Sequence, residues 1–109
     1  MAATPEKKVK DKVKALLASE GVYFFMPATH GFGRSGVPDI VACVNGLFLA
    51  IETKAGGNKP TALQIREIET IRRNNGVAVV VDETNWDMVR DMVRRLKAST
   101  IITSSGGAA

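Results

Sequence analysis

Apolar positions in this chain change period several times, and each change marks an element. Over residues 4–20, Val9, Val13, Leu16 and Leu17 recur at helical spacing, while Lys7, Lys8, Lys12 and Lys14 lie off that stripe. Thr4 can cap this helix, Pro5 suits its first position, and Gly21 ends it. "VYFFMP" (22–27), rich in aromatic and β-branched residues, predicts a strand. A glycine-rich loop, "ATHGFGRSG" (28–36), follows, and then "GVPDIVACVNGLFLAIETKAG" (36–56), two apolar runs around Asn45-Gly46. After a second loop, "AGGNKP" (55–60), a helix from about Pro60 to Asn75 points Ile65, Ile68 and Ile71 inward, and Gly76 stops it. "VAVVVD" (77–82) is fully apolar, as in a buried parallel strand. A last helix, about 85–97, carries Trp86, Val89, Val93 and Leu96 on one stripe. The order α-β-β-β-α-β-α predicts an α/β fold, a mixed central sheet flanked by helices. The expected organisation is one domain over 1–98 and a flexible tail over 99–109.

Asn-Gly between two apolar runs signals a two-residue type I′ hairpin, which fixes register. Val44 then pairs with Leu47, Cys43 with Phe48, Val41 with Ala50, and Asp39 with Glu52. One face carries Val41, Cys43, Phe48 and Ala50, then Asp39, Glu52 and Lys54 at one end; Thr53 falls on the other face. Both faces are apolar, so both are expected to be covered, with Cys43 a small core residue. The two acids are opposed, at about 4.5–5.5 Å between Cβ atoms, and repel. A divalent cation between them removes the conflict. Two carboxylates, the backbone carbonyl of Thr53, water and phosphate oxygens suit octahedral Mg²⁺ or Mn²⁺. Lys54 beside the ion can hold a phosphate oxygen or orient an attacking water. The competing reading is a salt-bridged cluster at a sheet edge.

Composition narrows the chemistry. The 109 residues include one Cys and one His, which leaves no intramolecular disulfide and no soft-ligand zinc site. No apolar run reaches roughly eighteen residues, so no membrane span is expected. The lysine-rich N-terminal segment lacks the apolar core of a signal peptide. A net charge of +4 permits a polyanionic partner.

The residues "PD" (38–39) and "ETK" (52–54) resemble the PD-(D/E)XK nuclease signature. The longer run "GFGRSGVPDIVACVNGLFLAIETKAG" followed by "KPTALQ" strongly resembles the virus-type replication-repair nuclease (VRR-NUC) domain in its small, stand-alone phage form, over roughly residues 5–84. The resemblance implies a restriction-endonuclease-like core and a Mg²⁺- or Mn²⁺-dependent phosphodiesterase acting on DNA. Asp39 and Glu52 are then metal ligands and Lys54 the catalytic lysine. It also implies a metal-facing glutamate on the first helix. Glu6 and Glu20 both point inward, from opposite ends. The family pattern and the helix dipole favour Glu6, against its reading as an ordinary helix-start acid. Gln64 matches a family glutamine on the following helix, although Thr61-x-x-Gln64 also has the form of a capping box.

Arg34, Ser35 and Lys59, in the two loops, are candidate DNA contacts. His30 reads as a surface loop residue, and Arg90, Arg94, Arg95 and Lys97 as a solvated helix face. The chain offers no long specificity loop or helix-turn-helix, which favours recognition of DNA shape through its backbone. A homodimer that cleaves four-way (Holliday) junctions is the leading expectation. It would act in the cytoplasm of a bacterial host, with no membrane partner and no small-molecule cofactor. A monomeric flap or nicking nuclease, an inactive DNA-binding module and a structural, partner-binding domain are the alternatives.

Overall fold

The computed structural model describes residues 3–28 and 33–99. His30 and the expected tail from Thr100 onward lie outside the described residues. The elements are α1 (Pro5–Ser19), β1 (Tyr23–Phe25), β2 (Ile40–Val44), β3 (Leu47–Thr53), α2 (Ala62–Arg73), β4 (Val77–Val81) and α3 (Met88–Ala98). This is the expected order. The strands form one mixed sheet, β1-β2-β3-β4, in which only β3 and β4 are parallel.

The hairpin register is the one the Asn-Gly turn dictates, from Val44↔Leu47 to Ile40↔Ile51. Asn45 and Gly46 adopt φ of 54° and 79°, the left-handed pair of a type I′ turn. Asn45 does a second job: its Nδ2 donates to the carbonyls of Leu96 and Ser99 at 3.1 and 3.0 Å. The hairpin tip therefore satisfies the free carbonyls at the end of α3.

One sheet face is dry. Ile40, Ala42, Val44, Leu49, Ile51 and Val81 pack there against Val9, Val13, Leu16 and Leu17 of α1 and Val89 and Val93 of α3. The other face is covered only in part. As the crossover between parallel strands β3 and β4, α2 lies over those two and buries Ile68 against Ala50 and Ala78. Among the described residues no element covers β1 and β2 on this side. Tyr23 is 70% exposed, Phe25 and Phe48 are each 47% exposed, and Cys43 is exposed. The expectation of two covered faces, with Cys43 in the core, fails for that reason.

Two other details differ from the pattern. Ile65 is exposed, because the inward stripe of α2 runs Gln64, Ile68, Ile71 and Ile65 is rotated off it. The last helix starts at Met88 rather than near 85, because the Asp82 carboxylate accepts the Thr84 N–H and hydroxyl (2.8 and 2.6 Å) and holds a turn. The outer edge of β4 is partly closed by Arg72, whose guanidinium donates to the Ala78 carbonyl at 2.7 Å.

Asn45→Ala should cost about 1–2 kcal/mol, since it forces a Cβ-bearing residue into the left-handed region and removes the α3 cap. Asn45→Gly should lose only the cap, so urea unfolding of the two variants separates turn strain from capping.

Candidate active site

The antiparallel ladder ends one pair short of the acids. The chain bends at Asp39, and its carboxylate replaces the missing ladder partner. Oδ2 of Asp39 accepts the Thr53 N–H at 3.0 Å and the Thr53 hydroxyl at 2.7 Å. Asp39 is thus more than a residue facing Glu52; it is tied to the strand that carries Glu52. Its other oxygen, Oδ1, faces the Lys10 ammonium at 3.7 Å. In a strand, a residue's N–H and C=O leave the same edge, so the Thr53 carbonyl lies on the Asp39 side.

Glu52 is 1% exposed, the largest anomaly in the core. Its Oε2 accepts from Gln64 Nε2 at 2.9 Å and lies 3.5 Å from Lys54 Nζ. Oε1 is buried and, among the described residues, has no hydrogen-bond partner. Burial, then the charge of Asp39, pushes the Glu52 carboxyl up to about 7 against the pull of Lys54; Glu6 adds a smaller push. A buried oxygen with no partner costs on the order of 1–3 kcal/mol.

Both readings of Gln64 hold at once. Its Oε1 accepts the Thr61 N–H at 2.8 Å and its own N–H donates to Thr61 Oγ1 at 3.2 Å, a complete capping box. The Thr61 donor fixes which end of the amide carries oxygen, so the NH₂ must face Glu52. Gly36 makes the approach possible. An added Cβ there would sit 2.6 Å from the Leu63 carbonyl, so the loop before Pro38 lies flush on the start of α2.

The two helix-one acids separate cleanly. Glu6, half-buried at the start of α1, lies near enough for its charge to act on Glu52. Glu20, at the far end, is held by Arg90 at 2.7 Å, Arg94 at 3.1 Å and Lys97 at 3.6 Å. The hydrogen bond from Arg94, then that from Arg90, keeps its carboxyl below the usual range. Arg90, Arg94 and Lys97, expected as a solvated face, are therefore ion-paired.

Of the loop candidates, Arg34 pairs with Glu67 on α2 at 2.7 Å and lines a separate groove with Phe48 and Ile71. Ser35 and Lys59 are exposed. The cleft beside Asp39 is lined instead by Lys10, Met26, Pro27, Val37 and Gln64. Sequence reading missed Lys10. Glu6, one helical turn earlier, lines a different cleft with Ala55 and Asn58, so a lone lysine on this basic helix gave no sequence signal.

Among the described residues, no three His, Cys, Asp or Glu side chains converge to cage an ion by themselves. Two carboxylates do converge. One has a free buried oxygen and the other an oxygen held only by a distant lysine. This suits Mg²⁺ or Mn²⁺, which take few protein ligands and keep water and substrate oxygens for the rest.

The fold and this Pro38-Asp39, Glu52-x-Lys54 constellation define a restriction-endonuclease-like domain. No family model matches the chain. A solved structure described as a VRR_NUC domain superposes with a TM-score of 0.66 at 27% identity, covering 86% of this chain and 95% of that one. A second, a VRR_NUC domain protein, gives 0.64 at 20% identity over 88% and 90%, and bears on the fold alone. Over 58 residues, the chain is 56% identical to "Putative nuclease p44" of Acyrthosiphon pisum secondary endosymbiont phage 1. That match spans 52% of this chain and 62% of the relative. The chain is thus similar to VRR_NUC domains across its fold and, over about half its length, to a phage protein described as a nuclease.

The Glu52 carboxyl gives a pH signature in metal-free protein. The folded state holds its proton to about pH 7, whereas the ordinary value is 4.5. Stability from this group is full below about pH 4.5 and is lost as pH rises through about 7. In EDTA, Glu52→Gln should remove a fall on the order of 2–3 kcal/mol between those limits. Urea titrations at pH 5 and pH 8 check this; equal pH slopes for wild type and variant would contradict it.

Proposed function

We propose that this chain is a divalent-metal-dependent, structure-selective DNA endonuclease that hydrolyses phosphodiester bonds in four-way junctions as a homodimer. The observation that carries this is the orphaned Glu52 Oε1, buried beside Asp39, Lys54 and Gln64, of which Asp39 and Gln64 line a cleft. In a purely structural role, leaving a buried carboxylate oxygen without a partner is an uncompensated cost. The phage relative described as a nuclease supports the same reading.

Asp39 Oδ1, Glu52 Oε1, the Thr53 carbonyl and Glu6 are the groups that would hold the ion. Bound there, Mg²⁺ or Mn²⁺ would lower the pKa of the attacking water and offset charge on the phosphate. Gln64 keeps Glu52 aimed by spending its NH₂ on Oε2. Lys54 is nearly buried with its ammonium 3.5 Å from Glu52 Oε2, where it would donate to a phosphate oxygen or orient the water. Thr53 holds Asp39 in place through two hydrogen bonds. Ser35 and Lys59 supply exposed backbone contacts, and Arg34 joins them if DNA draws it from Glu67.

The dimer is supported by the open face of β1 and β2. Register puts Tyr23, Cys43 and Phe48 in one row, with Phe25 and Val41 beside it. An apolar row of this kind marks an association surface, and a second copy would supply the second active site that paired cuts need. The site of action would be the cytoplasm of a bacterial host.

Cleavage of an end-labelled mobile four-way junction, beside duplex and flap controls, tests the proposal. Wild type should make paired, symmetric cuts with Mg²⁺ or Mn²⁺ and none with EDTA, while Ca²⁺ supports binding only. Asp39→Asn and Glu52→Gln should lose about 10²–10³-fold or more in rate yet keep junction affinity, because less negative charge meets the DNA. Lys54→Ala should lose about 10²-fold. Tyr23→Glu, at the end of that open face away from the carboxylates, should turn paired cuts into single nicks. Cutting of flaps or duplex instead would replace the resolvase with a monomeric nuclease. Binding without cutting under every ion would leave a DNA-binding module.

A further inference from the structure

The two oxygens of Asp39 have unequal fates. Oδ2 is saturated by the Thr53 N–H and hydroxyl. Only Oδ1 remains for a cation, and Lys10 Nζ stands 3.7 Å from it. An ammonium and a divalent ion cannot share one carboxylate oxygen at that range without strong repulsion. The Lys10 side chain is 32% exposed, so its head is free to swing on a flexible four-carbon stem. The direction open to it is the cleft lined by Met26, Pro27, Val37 and Gln64. In the proposed nuclease, that cleft is where a phosphate brings negative charge.

We propose that Lys10 is a place-holding cation: it balances Asp39 in the metal-free protein, yields Oδ1 to the metal, and then binds the DNA backbone. This rests on the nuclease reading above, and it adds a residue and an order of events. Lys10 lowers metal affinity in free protein and raises DNA affinity once metal is present. The metal site is therefore only weakly filled without substrate. Position favours this over an ordinary surface pair. Residues Lys7 and Asp11 pair along the helix at 2.8 Å and are well exposed, whereas Lys10 crosses from α1 to a carboxylate of the site.

The test is Mn²⁺ titration by calorimetry without DNA, then junction binding in Ca²⁺, for wild type, Lys10→Met, Lys10→Gln and Asp39→Asn. Methionine keeps most of the stem and removes the charge, and glutamine guards against a packing artefact. Both Lys10 variants should bind Mn²⁺ about three- to tenfold more tightly than wild type, and the junction about three- to tenfold more weakly. Asp39→Asn should lose Mn²⁺. If wild type binds Mn²⁺ through Asp39 but the Lys10 variants bind it equally, the place-holder is wrong and the nuclease reading stands. Tighter Mn²⁺ binding with unchanged junction affinity would overturn the transfer to DNA. If wild type takes up no Mn²⁺ at all, the metal reading falls and the place-holder with it.

Discussion

A slip of one residue between β2 and β3 would send Glu52 to the opposite face of the sheet and bring Thr53 to the site. Both ends of this hairpin are therefore closed. At the tip, Asn45 and Gly46 supply the two left-handed residues of a tight turn. At the mouth, Asp39 takes two hydrogen bonds from Thr53 where a ladder pair would otherwise be. The second closure is the more consequential. It stops the strand, it spends one carboxylate oxygen on structure, and it leaves the other beside the buried Glu52. The distances in the cleft follow from that division of labour.

Glu52 shows what such a site costs. A carboxylate beneath an apolar sheet is opposed by burial and by Asp39, and it answers by holding a proton far above its normal range. Lys54 and Gln64 offset part of the cost through Oε2, and nothing among the described residues offsets it at Oε1. A fold selected for stability alone would fill this position with an aliphatic residue, as it does at Ile51 and Val81. Local instability of this sort belongs at places that handle ligands. Gln64 ties it to the rest of the fold, because the same amide that steadies Glu52 also caps α2.

Most of the fold was legible because its signals are local. The helix caps at Thr4 and Thr61, the Asn45-Gly46 turn and the unbroken Val77–Val81 strand each declare themselves within a few residues. What could not be read depends on how far one element reaches over another. The bare face of Tyr23, Cys43 and Phe48 follows from the reach of α2, which covers two strands rather than four. The pairing of Arg34 with Glu67 joins residues far apart in the chain. Within the site, Asp39, Glu52, Lys54 and Gln64 could be picked out by register and resemblance, and the structure brings them together. The choice between Glu6 and Glu20 needed the helix to be placed, and Lys10 went unseen because a lone lysine on a basic helix carries no signal of its own.

The most direct measurement is an anomalous difference map from crystals soaked in Mn²⁺. A peak is expected within about 2.0–2.2 Å of Asp39 Oδ1 and Glu52 Oε1, near the Thr53 carbonyl, with the Lys10 ammonium displaced. A fully soaked crystal with no peak there, and Lys10 still on Asp39, would mean that these carboxylates serve the fold and not a metal.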